Sequence, residues 1–115
     1  MVSSKGKVPV DRRSRSAYVA RARVLKALAH PTRLYFVERL ADGPLCVCEL
    51  ARGIEAEGPT ISRHLALLKS AGIVSDEKRG TKIFYTLRTP CVLRFLDCLT
   101  AVVIQSAKEQ LATVR

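Results

Sequence analysis

Tryptophan is missing from this chain, methionine occurs once, and the aromatic rings come to three tyrosines and three phenylalanines. That is too small a set for the stacking platforms by which single-stranded RNA is usually read. There are only two histidines, His30 and His64, and no His-Glu-x-x-His spacing, so a hydrolytic metal site is not expected. No glycine-rich phosphate loop and no nucleophile–base–acid set stands out, which argues against an enzyme and against a small-molecule organic substrate. No apolar run reaches the 18 residues of a membrane span, and the charged Met1–Lys7 is not followed by a secretory apolar region. A cytoplasmic protein with no membrane partner is therefore expected. In that compartment the four cysteines would stay reduced, and ligands or redox sensors are favoured over structural disulfides. Acidic residues are also scarce: 10 against 20 Lys and Arg, a net charge of +10 on a chain long enough for one domain. Such a balance points to an anionic partner, most often nucleic acid.

Residues 1–15 are polar, basic and without periodicity, and read as a flexible basic arm; residues 16–115 read as the folded domain. From Ser16, the spacing of Tyr18, Val19, Ala22, Leu25, Leu28 and Ala29 predicts a helix, with Arg21, Arg23 and Lys26 outward. His30-Pro31 ends it, and Pro31 suits the first turn of a second helix buried along Leu34, Val37, Leu40 and Ala41. After Gly43-Pro44, a third helix is predicted from about Cys46 to Gly53. A fourth runs from Pro59 to Ser70 or Ala71, burying Ile61, Leu65 and Leu68, and Gly72 stops it. Two short helices on a tight polar link form a helix-turn-helix.

Beyond Gly72 the period changes. Ile73-Val74-Ser75 and Ile83-Phe84-Tyr85-Thr86-Leu87 are strand-like and flank the basic turn Lys78-Arg79-Gly80-Thr81-Lys82. The predicted class is mainly α (α+β): a winged helix-turn-helix with a two-stranded β-hairpin wing. The last helix, opening at Pro90, carries Val92, Leu93, Phe95, Leu96, Leu99, Val102, Val103 and Ile104, too many apolar residues for a monomer surface. A homodimer interface of N- and C-terminal helices accounts for them.

Double-stranded DNA is the partner that this shape and charge suit. Thr60, Ser62, Arg63 and Lys69 form the exposed side of the fourth helix, with His64 at its border, and Arg79 and Lys82 in the wing would bind phosphate or probe the minor groove. Cys46 and Cys48 flank one valine at a helix start, where thiolates are favoured and soft metals bind. In a regular helix residues i and i+2 face apart, so a shared ion requires a loosened first turn. Cys91 opens the last helix and is a candidate third ligand. Cys98, about 10 Å along that helix, cannot join Cys91 on one ion from one straight helix; it is assigned to packing and is the less favoured ligand, recruited only if the inducer is Cd(II) or Pb(II).

Taken in order, Leu25–Leu34, Leu45-Cys46-Val47-Cys48-Glu49-Leu50, Ile61–Leu68 and the Arg79-Gly80 hairpin resemble the ArsR/SmtB family of metal-sensing winged-helix repressors. The resemblance spans about residues 17–105, and the paired cysteines are its most specific part. It implies a homodimer on the promoter of a resistance operon, released when a toxic ion binds. The chain departs from the family's patterns in three places. Ala51 stands where one arsenite pattern has a third cysteine, residues 1–45 hold none of the cysteines of the cadmium/lead pattern, and Asp97 is followed by Cys98 rather than by the start of the last-helix zinc site. Cys91, from either protomer, is then the natural replacement. Three thiolates suit As(III) or Sb(III) as inducer, and four would suit Cd(II), Pb(II) or Zn(II). A thiol redox or persulfide switch, a cytosolic metal-storage protein and a basic RNA-binding module are the competing expectations.

Overall fold

His30-Pro31 is the hinge from which the helical layer is built. In the computed structural model, which describes residues 12–114, helix α1 spans Arg12–Leu28 and α2 spans Pro31–Arg39. Between them His30 is extended, and its Nδ1 accepts from Thr32 N–H at 3.0 Å, filling one of the donors left open at the start of α2. A 3-10 turn, Leu40–Asp42, leads to a two-residue strand β1, Leu45–Cys46, and to the short helix α3, Val47–Leu50. Helix α4 spans Gly58–Ser70, with Pro59 in its first turn, and ends before Gly72, whose φ of +82° suits only glycine without strain. Strands β2, Val74–Arg79, and β3, Lys82–Leu87, precede the long α5, Cys91–Val114.

The sheet is antiparallel in the order β1-β3-β2. Val74 faces Leu87 at one end of the hairpin, and Arg79 faces Lys82 at the other. Only Gly80-Thr81 forms the turn, with Gly80 at φ +63°, as a two-residue hairpin loop opening on glycine requires. Leu45 pairs with Tyr85 and Cys46 with Phe84, so the wing has a third strand where two were expected. Two residues are too short a run to show alternation; pairing with β3 alone makes them a strand.

Phe36 and Val37 of α2, Leu50 of α3, Ile61, Leu65 and Leu68 of α4, Val74 and Tyr85 of the sheet and Leu96 of α5 form one buried core. The i, i+4, i+7 spacing on α4 fixes which of its faces points outward. Several sequence expectations shift. The first helix starts at Arg12 rather than Ser16, so four residues assigned to the arm are helical, and residues 1–11 lie outside the described ones. The third helix ends at Leu50 instead of Gly53. Ala41 is exposed in the turn beyond α2, and Phe36, not among the residues expected inside, is fully buried. Along α1 only Ala27 and Leu28 are buried. The chain measures 58 × 48 × 24 Å, a flat outline that leaves much of α1 and α5 uncovered. Among the described residues no helix is long and apolar enough to cross a membrane.

Candidate nucleic-acid interface and thiol pair

Helix α4 presents Thr60, Ser62, Arg63 and Lys69 to solvent, as its buried stripe dictates. Lys69 Nζ lies 3.0 Å from a carboxylate oxygen of Asp76, and Arg79 pairs with Glu77 at 3.0 Å while its guanidinium stacks 4.7 Å from the Phe84 ring centre. Both are solvent-exposed pairs, worth little and readily exchanged for a phosphate. Lys82, beside Arg79 at the wing tip, is exposed and makes no ion pair among the described residues.

His64 lies at the border position expected of it, held there by partners on α2 and the α1–α2 junction. It is half-buried, with its Nδ1 2.9 Å from Arg33 Nη1 and its ring centre 4.2 Å from that of His30. Arg33 also donates through Nε to the Ala27 carbonyl at 2.6 Å. One guanidinium thus ties the end of α1 to the middle of α4. Since guanidinium only donates, Nδ1 must accept, and the ring is the neutral Nε2–H form. Burial, reinforced by His30, Arg33 and Arg63, pushes the His64 imidazole below its ordinary value of 6.5. A depressed histidine stabilises the fold above its unfolded value and loses that contribution as pH falls toward its folded value. Thermal stability is therefore expected to decline below about pH 6.5, and His64→Gln to flatten that decline. An unchanged slope in the variant would assign the acid sensitivity to other groups.

At the thiols the structure departs from a regular helix. Cys46 is the N-cap of α3, extended at φ −77°, ψ 163°, and almost wholly buried. Glu49 N–H donates to its Sγ at 3.3 Å, and Cys46 N–H donates to Glu49 Oε1 at 3.0 Å. This is a capping box with sulfur in place of the usual hydroxyl. Because Cys46 lies outside the helix, the face-apart rule for i and i+2 does not apply. Its sulfur meets that of Cys48, and the two are joined as a disulfide with Cα atoms 5.4 Å apart. Free thiols were expected; in this structure the pair is bonded, while the anticipated loosened turn is present.

The pair opens into a groove of about 380 Å³ lined by Cys46, Val47, Cys48, Ser62, Thr81, Lys82 and Ile83. Its walls are the exposed helix and the wing, so a ligand on the sulfurs would lie within the surface that DNA would meet. Cys91 is exposed elsewhere, in a groove between α1 and α5 beside Val24, Leu25 and Phe95. Cys98 is exposed in the single chain, on α5 beside Leu99, and among the described residues no three His, Cys, Asp or Glu converge as a metal site. One protomer thus supplies two sulfurs at one point. Cys46-x-x-Glu49 has the spacing of a capping box, a signal absent from the expectations above, whereas Arg33, Thr81 and Ile83 stood there only as helix, turn and strand positions.

Residues 30–76 match the family model described as bacterial regulatory protein, arsR family. The arsenic resistance transcriptional regulator ArsR1 of Pseudomonas putida is 40% identical over 77% of this chain and 70% of its own length. A cadmium resistance transcriptional regulatory protein, a CadC homolog of Staphylococcus aureus, is 43% identical over 57% of this chain and 55% of its own. Among solved structures, the homodimeric winged helix-turn-helix DNA-binding domain Mb0332 of Mycobacterium bovis, a possible ArsR-family transcriptional regulator, aligns with a TM-score of 0.72. It is 28% identical, covering 91% of this chain and 94% of that one.

Proposed function

This chain belongs to the arsR family of bacterial regulatory proteins, and on that premise we propose that it is a homodimeric repressor released from its operator by As(III) or Sb(III). That it is a DNA-binding transcriptional repressor of winged-helix type, and not an enzyme, follows from the family itself. The inducer is the proposed part. Its main support is the convergence of the Cys46 and Cys48 sulfurs in a groove walled by Ser62 of α4 and Lys82 of the wing. Reduced, the pair offers two soft thiolates to a thiophilic ion, with Cys91 of a second protomer as the third donor suited to a trigonal ion. The name of the Pseudomonas relative favours arsenic, while that of the Staphylococcus relative keeps a cadmium-type inducer as the alternative. An ion held there would compete with DNA for the groove and strain the capping box, from which Leu50 carries the disturbance into the core beneath α4.

Fluorescence anisotropy on DNA from upstream of the gene, with the reduced protein, tests this reading. Arsenite should release the complex at near-stoichiometric amounts while zinc does not. Release by cadmium alone would overturn the arsenic assignment, and release by a persulfide donor alone would replace it with a redox switch.

Assembly as a homodimer is supported by the uncovered apolar residues Tyr18 and Leu25 on α1 and Phe95, Leu99, Val102 and Val103 on α5. Val103 is 67% exposed in the single chain. Val103→Glu should give monomers by light scattering and lower operator affinity by at least about tenfold, since binding at two linked half-sites becomes two separate events. A variant that stays dimeric would move the interface off α5.

A further inference from the structure

We propose that α1 carries a second DNA-contacting surface, a basic stripe that grips the phosphate backbone beyond the segment read by α4 and the wing. Helix α1 holds six cationic side chains and no acid. At 100° per residue, Arg12, Arg15, Arg23 and Lys26 fall within roughly 80° of arc, a stripe about 21 Å long. All four are exposed, and among the described residues none of them makes an ion pair. The apolar positions Tyr18 and Leu25 lie off this arc, so covering them would leave the four cations open; Val19 falls within it, sharing a groove with Arg12, Arg15 and Arg23.

Two observations select DNA as the occupant. The first is continuity. Arg23 and Lys26 share a groove of about 270 Å³ with Leu67, Ser70 and Ala71, which joins the stripe to the end of the DNA-reading helix. The Arg33 bridge holds that junction together, donating to the carbonyls of Lys26 and Ala27 on one side and meeting His64 of α4 on the other. The second is charge. Duplex DNA presents one negative charge about every 1.7 Å of its axis, so a linear array of four unpaired cations faces several phosphates at once. Guanidinium is the group best shaped to take phosphate oxygens two at a time. Interactions of this kind add affinity and fix the protein's orientation without reading bases.

The test replaces Arg12, Arg15, Arg23 and Lys26 together by Gln in the full chain. Anisotropy is followed against potassium chloride on the upstream fragment and on a long mixed-sequence duplex. Removing one cation that neutralises a phosphate should reduce the slope of log affinity against log salt by about 0.9, so the variant should show a reduction of about 2 to 4 per protomer. Affinity should fall by a similar factor on both DNAs, leaving their ratio unchanged, whereas Arg63→Ala changes the ratio. The charge-preserving variant with Lys at the three arginine positions should keep most of the slope; if its slope falls as far as that of the Gln variant with the same melting temperature, the proposal fails. An unchanged slope in the Gln variant overturns it outright. Binding of the parent protein, but not the variant, to phosphatidylserine vesicles with an unaltered DNA slope would overturn it in favour of a lipid surface.

Discussion

Cys48→Ser is expected to leave operator affinity within about twofold, because an exposed side chain with a small polar replacement changes little. Release by arsenite should nevertheless fail, with the half-release concentration rising about 100-fold or more, since losing even an outer partner of a metal ligand costs about 10 to 100-fold. Cys46→Ser is the more searching companion. Serine is among the preferred N-cap residues, so its hydroxyl can accept from Glu49 N–H as the sulfur does, and the capping box with Glu49 should survive. The substitution therefore removes a soft ligand while keeping the local fold. If both serine variants bind DNA and neither responds, the sulfurs act as ligands. Should either variant lose DNA affinity in the absence of arsenite, the pair is structural and the inducer site lies elsewhere. Cys91→Ser, measured in the same titration, reports whether a third thiolate is used: a weakened response assigns it, and an unaltered one leaves a two-sulfur site.

Arg63→Ala should produce the other large effect. Arg63 is exposed on α4 beside Ser62, with no salt bridge among the described residues. If its guanidinium meets a guanine edge in the major groove, its loss removes about 1–3 kcal/mol of discrimination, or roughly 5 to 150-fold in specific affinity. Binding to mixed-sequence DNA should change much less. A uniform loss on both DNAs, with the salt slope reduced by about one unit, would place Arg63 on a phosphate. Unchanged affinity on both would move the reading surface off this face of α4. His64 makes a useful contrast. Its Nδ1 is engaged by Arg33 and its ring by His30, so His64→Gln should act through the stability of the α1–α2–α4 junction and its pH dependence rather than through base recognition.

Much of this was readable before any coordinates. Ile61, Leu65 and Leu68 at helical spacing placed the core side of α4 and hence its exposed side, because a 3.6-residue period leaves no freedom about which positions share a face. Pro31, Pro59 and Gly72 marked helix starts and a stop through their own backbone restrictions, which act within a few residues. The hairpin followed from Gly80 between two β-rich runs, and the excess of apolar residues in α5 was evident from composition. These features are set by local sterics and by which residues can be left in water.

What the sequence could not determine depends on the meeting of distant segments. Whether Cys46 belongs to a helix or precedes it is decided by pairing with Phe84, a β3 residue far along the chain. That pairing extends Cys46, lets its sulfur meet that of Cys48, and brings both against the wing. Local propensity sees only two thiols near a helix start. His64 likewise reads as a border residue by position, and only the packing of α2 against α4 gives its ring Arg33 and His30 as partners. The basic residues of α1 looked like part arm and part solvated face until the helix proved to begin at Arg12 and to abut the end of α4. The sequence by itself determined the kind of protein this is: its periods, its caps, its charge and its paired cysteines. The tertiary structure decided which groups meet, because side-chain direction and long-range pairing come from burying one shared core rather than from any single stretch of chain.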